Sequence, residues 1–133
     1  MNSNFNPLSA EELVSRINKI PRIHLAQLPT ILEYAPNISK ELNINLYIKR
    51  DDCTALAFGG NKTRHLEFIM AKTLSGEYDC ILTGASSQSN FCRQAVAAAN
   101  KLNLHSYLVL MHGIKGKLMQ GNFLLYNILG ADV

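Results

Sequence analysis

Apolar positions in this chain are scattered as far as residue 50 and become periodic from Ala57 onward. In the first part, Ser9-Ala10-Glu11-Glu12 has the form of a capping box. Leu13, Val14 and Ile17 follow it at helical spacing until Pro21, which predicts a short peripheral helix. Arg22 to Pro36, interrupted by Pro29, reads as extended chain, and Asn37 to Asn43 as a short helix. Asn45 to Arg50 reads as a strand that stops at Asp51-Asp52. After the break at Gly59-Gly60-Asn61, Leu66, Ile69, Met70 and Leu74 recur at i, i+3, i+4 and i+8, one apolar face of a helix. Tyr78 to Thr83 predicts a buried strand, Gly84 to Gln88 a turn, and Phe91, Ala95, Ala98, Ala99 and Leu102 a second helical stripe. Ser106 to Met111 predicts another buried strand, Lys117 to Leu129 a third helix, and Gly130 to Val133 the entry into one more strand.

The order β-α-β-α-β-α-β predicts an α/β fold, an open parallel sheet with helices on both faces. Ligands in such sheets gather at the carboxyl ends of strands. Here those ends are the Gly59-Gly60 loop and the loop from Gly84 to Asn90. Val133 arrives before the last strand has a partner helix, so the chain reads as an N-terminal portion, with an exposed sheet edge prone to pairing.

Composition narrows the function classes. A chain of 133 residues is one domain at most, and 47% hydrophobic with 17% charged residues is globular rather than disordered composition. Thirteen Lys+Arg against ten Asp+Glu give a net charge of +3, but the basic residues are dispersed, which argues against nucleic acid as a partner. No apolar run approaches the about 20 residues of a membrane span, and the N-terminus lacks a basic, apolar leader. A cytoplasmic setting follows as the expectation. Cys53, Cys80 and Cys92 form neither a disulfide framework nor a zinc spacing and read as reduced, mostly buried thiols.

Two loops carry candidate chemistry. Lys62 follows Gly59-Gly60-Asn61 in the first turn of a predicted helix, where the positive helix end and desolvation favour the neutral amine. A neutral lysine can form a Schiff base with an aldehyde such as that of pyridoxal phosphate. Position alone favours the plainer reading, a solvated lysine beside a turn. Gly60-Asn61-Lys62-Thr63 departs from the phosphate-binding P-loop because Asn61 separates Gly from Lys. The second loop places Ser86, Ser87, Gln88, Ser89 and Asn90 where a strand meets a helix N-terminus, an anion-ready cradle. On their own, Ser89 and Asn90 read equally as helix caps. No histidine is tied by pattern to a serine, so a Ser-His-Asp triad has no support.

Four segments, taken in order, resemble the 1-aminocyclopropane-1-carboxylate deaminase and D-cysteine desulfhydrase family of tryptophan-synthase-β-like, fold type II pyridoxal phosphate enzymes. Leu28-Pro29-Thr30-Ile31-Leu32-Glu33-Tyr34 resembles the family's TPLEY entry, and Leu46 to Asp52 its strand ending IKRDD. Gly59-Gly60-Asn61-Lys62-Thr63-Arg64 resembles GGNKxR, and Gln88-Ser89-Asn90 with Arg93-Gln94 resembles QSNxxRQ. The likeness runs from about Pro21 to the end and reverses the weight on Lys62.

What the resemblance implies is specific. Lys62 would hold pyridoxal 5'-phosphate through its amine and later move the proton at the substrate α-carbon. Asn61 and His65 would join it in binding the cofactor, and Asn90 would hydrogen-bond the ring oxygen. Ser89 would touch the substrate, as the proposed nucleophile of ring-opening deaminases, and Gln88 would help hold the substrate carboxylate beside Asn90. His65 stands where family members commonly carry a phosphate-contacting lysine, so phosphate affinity should be lower or pH-dependent. The family also continues past this length with a glycine-rich phosphate loop and a partner for the pyridine nitrogen.

The resemblance divides the chain into residues 1–52, part of the full enzyme's larger domain, and 53–133, an incomplete cofactor-binding domain. A small amino acid is the implied substrate, D-cysteine ahead of the cyclopropane amino acid, and a homodimer the implied assembly, with no membrane partner. The alternatives are a non-catalytic α/β binding module, including a truncated paralogue, and a small-nucleotide binder of similar layering.

Overall fold

The computed structural model describes residues 7–113 and 118–133. Helix α1, Ala10–Ile17, starts at the expected cap: Ser9 Oγ accepts the Glu12 N–H at 3.1 Å. It buries none of its residues, in keeping with a peripheral helix. Strand β1, Leu32–Tyr34, helix α2, Pro36–Leu42, and strand β2, Tyr47–Lys49, follow. β1 lies in the stretch expected to be extended chain, and it pairs antiparallel with β2 through Leu32–Lys49, Glu33–Ile48 and Tyr34–Tyr47. The strand near residue 48 therefore belongs to a separate two-stranded ribbon and not to the parallel sheet. Short 3-10 turns at Asp51–Thr54 and Leu56–Phe58 lead into helix α3, Lys62–Ser75.

From α3 the chain follows the expected α/β order: strand β3, Cys80–Ser86, helix α4, Asn90–Lys101, strand β4, His105–Met111, and helix α5, Gly121–Ile128. The expected start of α5 at Lys117 lies outside the described residues. β3 and β4 run parallel, from the pair Cys80–His105 to Ser86–Met111. A bridge from Tyr107 to Asp132 begins the expected further strand beside β4. β3 extends through Gly84–Ser86, residues expected to form the turn, because Gly84 pairs with Val109 and a Cβ at Gly84 would press on the Val109 carbonyl.

Two apolar clusters seat α4 at the centre. One joins Leu66 and Met70 of α3 to Ala95, Ala98 and Ala99 of α4, with Leu25 and Leu104. The other joins Cys92 and Val96 to Leu108 of β4 and Tyr126 of α5. The alanines admit close neighbours on several sides, so α4 is buried almost all round. Of the expected stripe, Leu66 and Met70 are buried while Ile69 and Leu74 are 36% and 42% exposed, and the buried face of α3 also takes in Thr63, Glu67 and Ala71. Helices pack on one face of the sheet among the described residues. On the face where further helices were expected, Leu82, Val109 and Met111 are 72%, 67% and 70% exposed. This follows from the alternation of strand side chains when one layer covers a sheet. Of the three thiols expected to be mostly buried, Cys92 alone is; Cys80 is partly covered and Cys53 exposed. No helix among the described residues is long and apolar enough to cross a membrane.

Candidate active site

The four motif segments, up to 66 residues apart in sequence, meet through their polar side chains. Arg64, two residues past Lys62, makes a two-pronged contact with Asp51, Nε to Oδ2 at 2.9 Å and Nη2 to Oδ1 at 2.8 Å, and also donates to Thr30 Oγ1 at 3.0 Å. A fork-to-carboxylate contact of this kind fixes direction as well as distance. The Arg64 guanidinium holds the Asp51 carboxyl below its usual range. The TPLEY-like, IKRDD-like and GGNKxR-like segments are thus one assembly around Asp51, whose carbonyl also accepts the Gly60 N–H at 2.9 Å.

The turn before Lys62 is fixed by α4. Gln94, fully buried, donates from Nε2 to the Gly59 carbonyl at 3.1 Å and accepts from Thr63 Oγ1 at 2.7 Å. Thr54, also buried, takes the Gly60 N–H on its Oγ1 at 2.9 Å and lies 3.3 Å from Thr63 Oγ1. Gly60 has φ +134°, and a Cβ there would collide with the Gln94 amide, so glycine lets the chain turn against α4. Lys62 is then the first residue of α3, half-buried, and takes part in none of the five ion pairs among the described residues. Asn61 is exposed and makes no side-chain cap on α3. His65, one helical turn on, is exposed, its ring centroid 6.1 Å from that of Phe91.

The second loop is built around the start of α4. Ser89 is its N-cap, with Oγ accepting the Cys92 N–H at 3.3 Å, so its own O–H remains a donor. Its carbonyl accepts from the Tyr126 hydroxyl at 2.8 Å, and burial pushes that hydroxyl's pKa up to about 12. Gln88 is turned toward α5: Oε1 accepts the Asn122 N–H at 2.9 Å and Nε2 donates to the Gln120 carbonyl at 3.1 Å. Asn90 Oδ1 accepts from Arg93 Nη1 at 2.9 Å and from Asn122 Nδ2 at 3.0 Å. Arg93 Nη2 reaches the Gly59 carbonyl at 3.0 Å, so one guanidinium ties Asn90 to the Lys62 turn.

Lys62, Ser89 and Asn90 therefore sit at two helix starts joined by Arg93 and Gln94. An amine, amide and hydroxyl donors, and two positive helix ends form a donor set that fits a small anionic aldehyde. In the sequence Thr63, Arg93 and Gln94 are motif letters without a role, and Thr54 and Asn122 carry no signal. The available signal was a lone Gln94 beside the apolar run Ala95 to Ala99, a polar residue on a face that must be buried.

Residues 23–133 match the family model described as "Pyridoxal-phosphate dependent enzyme". A D-cysteine desulfhydrase of Salmonella paratyphi C (strain RKS4594) is 41% identical over 121 residues, covering 88% of this chain and 37% of that protein. One from Klebsiella pneumoniae (strain 342) is 40% identical over 124 residues, covering 90% and 38%. A solved structure described as an ACC deaminase homologue superposes with a TM-score of 0.85 at 38% identity, covering 93% of this chain and 37% of that one. The chain spans a little over a third of the length of these relatives.

Proposed function

The chain belongs to the pyridoxal-phosphate dependent enzyme family, and from that premise we propose that it carries the lysine-bearing half of the active site of a lyase that degrades a small amino acid, with D-cysteine the favoured substrate. The carrying observation is the clamp of Arg93 and Gln94, which holds the Lys62 turn and the Ser89–Asn90 loop side by side. Bound pyridoxal phosphate supplies an electron sink for negative charge at the substrate α-carbon. In this reading the Lys62 amine would hold the cofactor aldehyde and later, once free, would accept the α-proton, and Asn90 would donate to the ring oxygen. Ser89, whose hydroxyl proton the cap leaves unused, donates to the substrate. Gln88 exchanges its Gln120 contact for the substrate carboxylate. Asn61 and His65 border the cofactor, His65 toward its phosphate.

For D-cysteine the balance is elimination and hydrolysis: the α-proton leaves, the Cβ–S bond breaks with its electron pair on sulfide, and one water releases ammonia and leaves pyruvate. The division at residue 52, a cytoplasmic setting and a pair of identical chains belong to the same reading. Its test is the full chain with pyridoxal phosphate and D-cysteine or 1-aminocyclopropane-1-carboxylate, following sulfide and 2-oxo acid. Sulfide release that Lys62→Ala abolishes is expected. Equal release by Lys62→Ala overturns the lysine's role, and 2-oxobutanoate from the cyclopropane substrate without sulfide from D-cysteine overturns the substrate. A non-catalytic binding module is the second reading, favoured by the occupied amide of Gln88.

A further inference from the structure

Arg93 and Asn122 stand outside the groups given a part in binding above. Arginine has donors only, so the Asn90 atom 2.9 Å from Arg93 Nη1 is the amide oxygen, whichever way the amide is drawn. The same argument fixes Asn122, whose Oδ1 is 2.9 Å from that nitrogen. Asn122 Nδ2 is thereby aimed at two acceptors, the Gln88 carbonyl at 2.7 Å and Asn90 Oδ1 at 3.0 Å. Turning the Asn90 amide over would set its NH2 against a guanidinium and an NH2, donor against donor, and lose both bonds. Among the described residues Arg93 Nε is buried without a partner.

We infer that Arg93 and Asn122 are positioning residues that lock the Asn90 amide with its carbonyl inward and its NH2 offered to the ligand. Arg93 also couples that lock to the Lys62 turn through Gly59. An oxygen anion then meets a donor and never the amide carbonyl. The lock rests on the cofactor reading only for the identity of that anion, the ring oxygen of pyridoxal phosphate.

The test uses the full chain, isotope-labelled, with Asn122→Asp and Arg93→Lys. Asn122→Asp keeps the oxygen facing Arg93, removes the donor to Asn90, and suits the first turn of α5. In the unliganded variants the Asn90 side-chain amide signals should move and broaden while those of Asn100, which donates to the Leu129 carbonyl, stay in place. Added pyridoxal phosphate should bind about tenfold more weakly, with a displaced visible-band pH titration, consistent with one lost charge-assisted hydrogen bond. Asn90 signals unmoved in both variants would overturn the lock, as would a uniform shift of all amide signals with a fall in melting temperature, the mark of a purely structural role. If one variant fails to fold, the other carries the same readout. A wild-type chain that binds no cofactor would refute the cofactor reading, while the Asn90 signals still decide the lock.

Discussion

The turn from Gly59 to Lys62 is held mainly by fully buried side chains, whereas the turn from Ser87 to Asn90 is held by its own cap and by exposed or part-buried contacts with α5. Gln94, Arg93, Thr54 and Thr63 grip the first turn, and the two that come from α4 are more than thirty residues away. Ser89 caps its own helix, and its N–H returns to the Ser86 carbonyl at 3.0 Å, with Tyr126 and Asn122 adding support from α5. The lysine turn therefore depends on the packing of α3 against α4, and damage there should spread. The serine turn shares its load among several exposed or part-buried contacts, and the loss of one of them should stay small.

Substitutions at these positions can break or sharpen that contrast. The largest effect is expected for Gln94→Leu, which removes the buried acceptor of the Thr63 hydroxyl and one of the two side-chain donors to the Gly59 carbonyl. A loss of about 3 kcal/mol of unfolding free energy, read from denaturant melting, is the expected outcome. Glu67 extends the same external grip along α3: its buried carboxylate accepts the Leu25 and Ala26 N–H groups at 2.9 Å each and pairs with Arg22. Burial pushes this carboxyl up, but the two N–H donors and Arg22 outweigh it, leaving its pKa below the ordinary value for a glutamate. A depressed carboxylate stabilises the fold above about pH 4.5 and loses that contribution as pH falls through the folded value. Glu67→Gln should thus cost about 2 kcal/mol at pH 7, and the gap to wild type in melting curves should narrow below pH 4.5. Ser89→Ala should remove a cap for about 1 kcal/mol by the same melting measurement. A Ser89→Ala loss as large as that of Gln94→Leu would erase the distinction between the turns.

Much of the framework was legible because it rests on periodicity. α3, α4, the β3–β4 pair and the entry at Asp132 follow from apolar spacing and turn residues. β1 was not, because three exposed residues between prolines carry no alternation and pair only once β2 lies beside them. The buried polar positions Thr63, Glu67 and Gln94 were also hidden. Hydropathy counts them as solvent-facing, while hydrogen-bond satisfaction places them inside. At the site, Lys62, Ser89 and Asn90 stood out by their loop positions, their roles came from the resemblance, and the cap came from Ser89 itself. The partners of Gly59 and Asn90 come from α4 and α5, where no local pattern points to them.

The most direct test of the account is covalent labelling of the full chain: addition of pyridoxal phosphate, reduction with borohydride, and peptide mapping of the modified lysine. Selective modification of Lys62, lost in Lys62→Ala and weakened in Gln94→Leu, is the predicted result. Labelling spread over many lysines, or none, would contradict the claim that these two turns form a cofactor site.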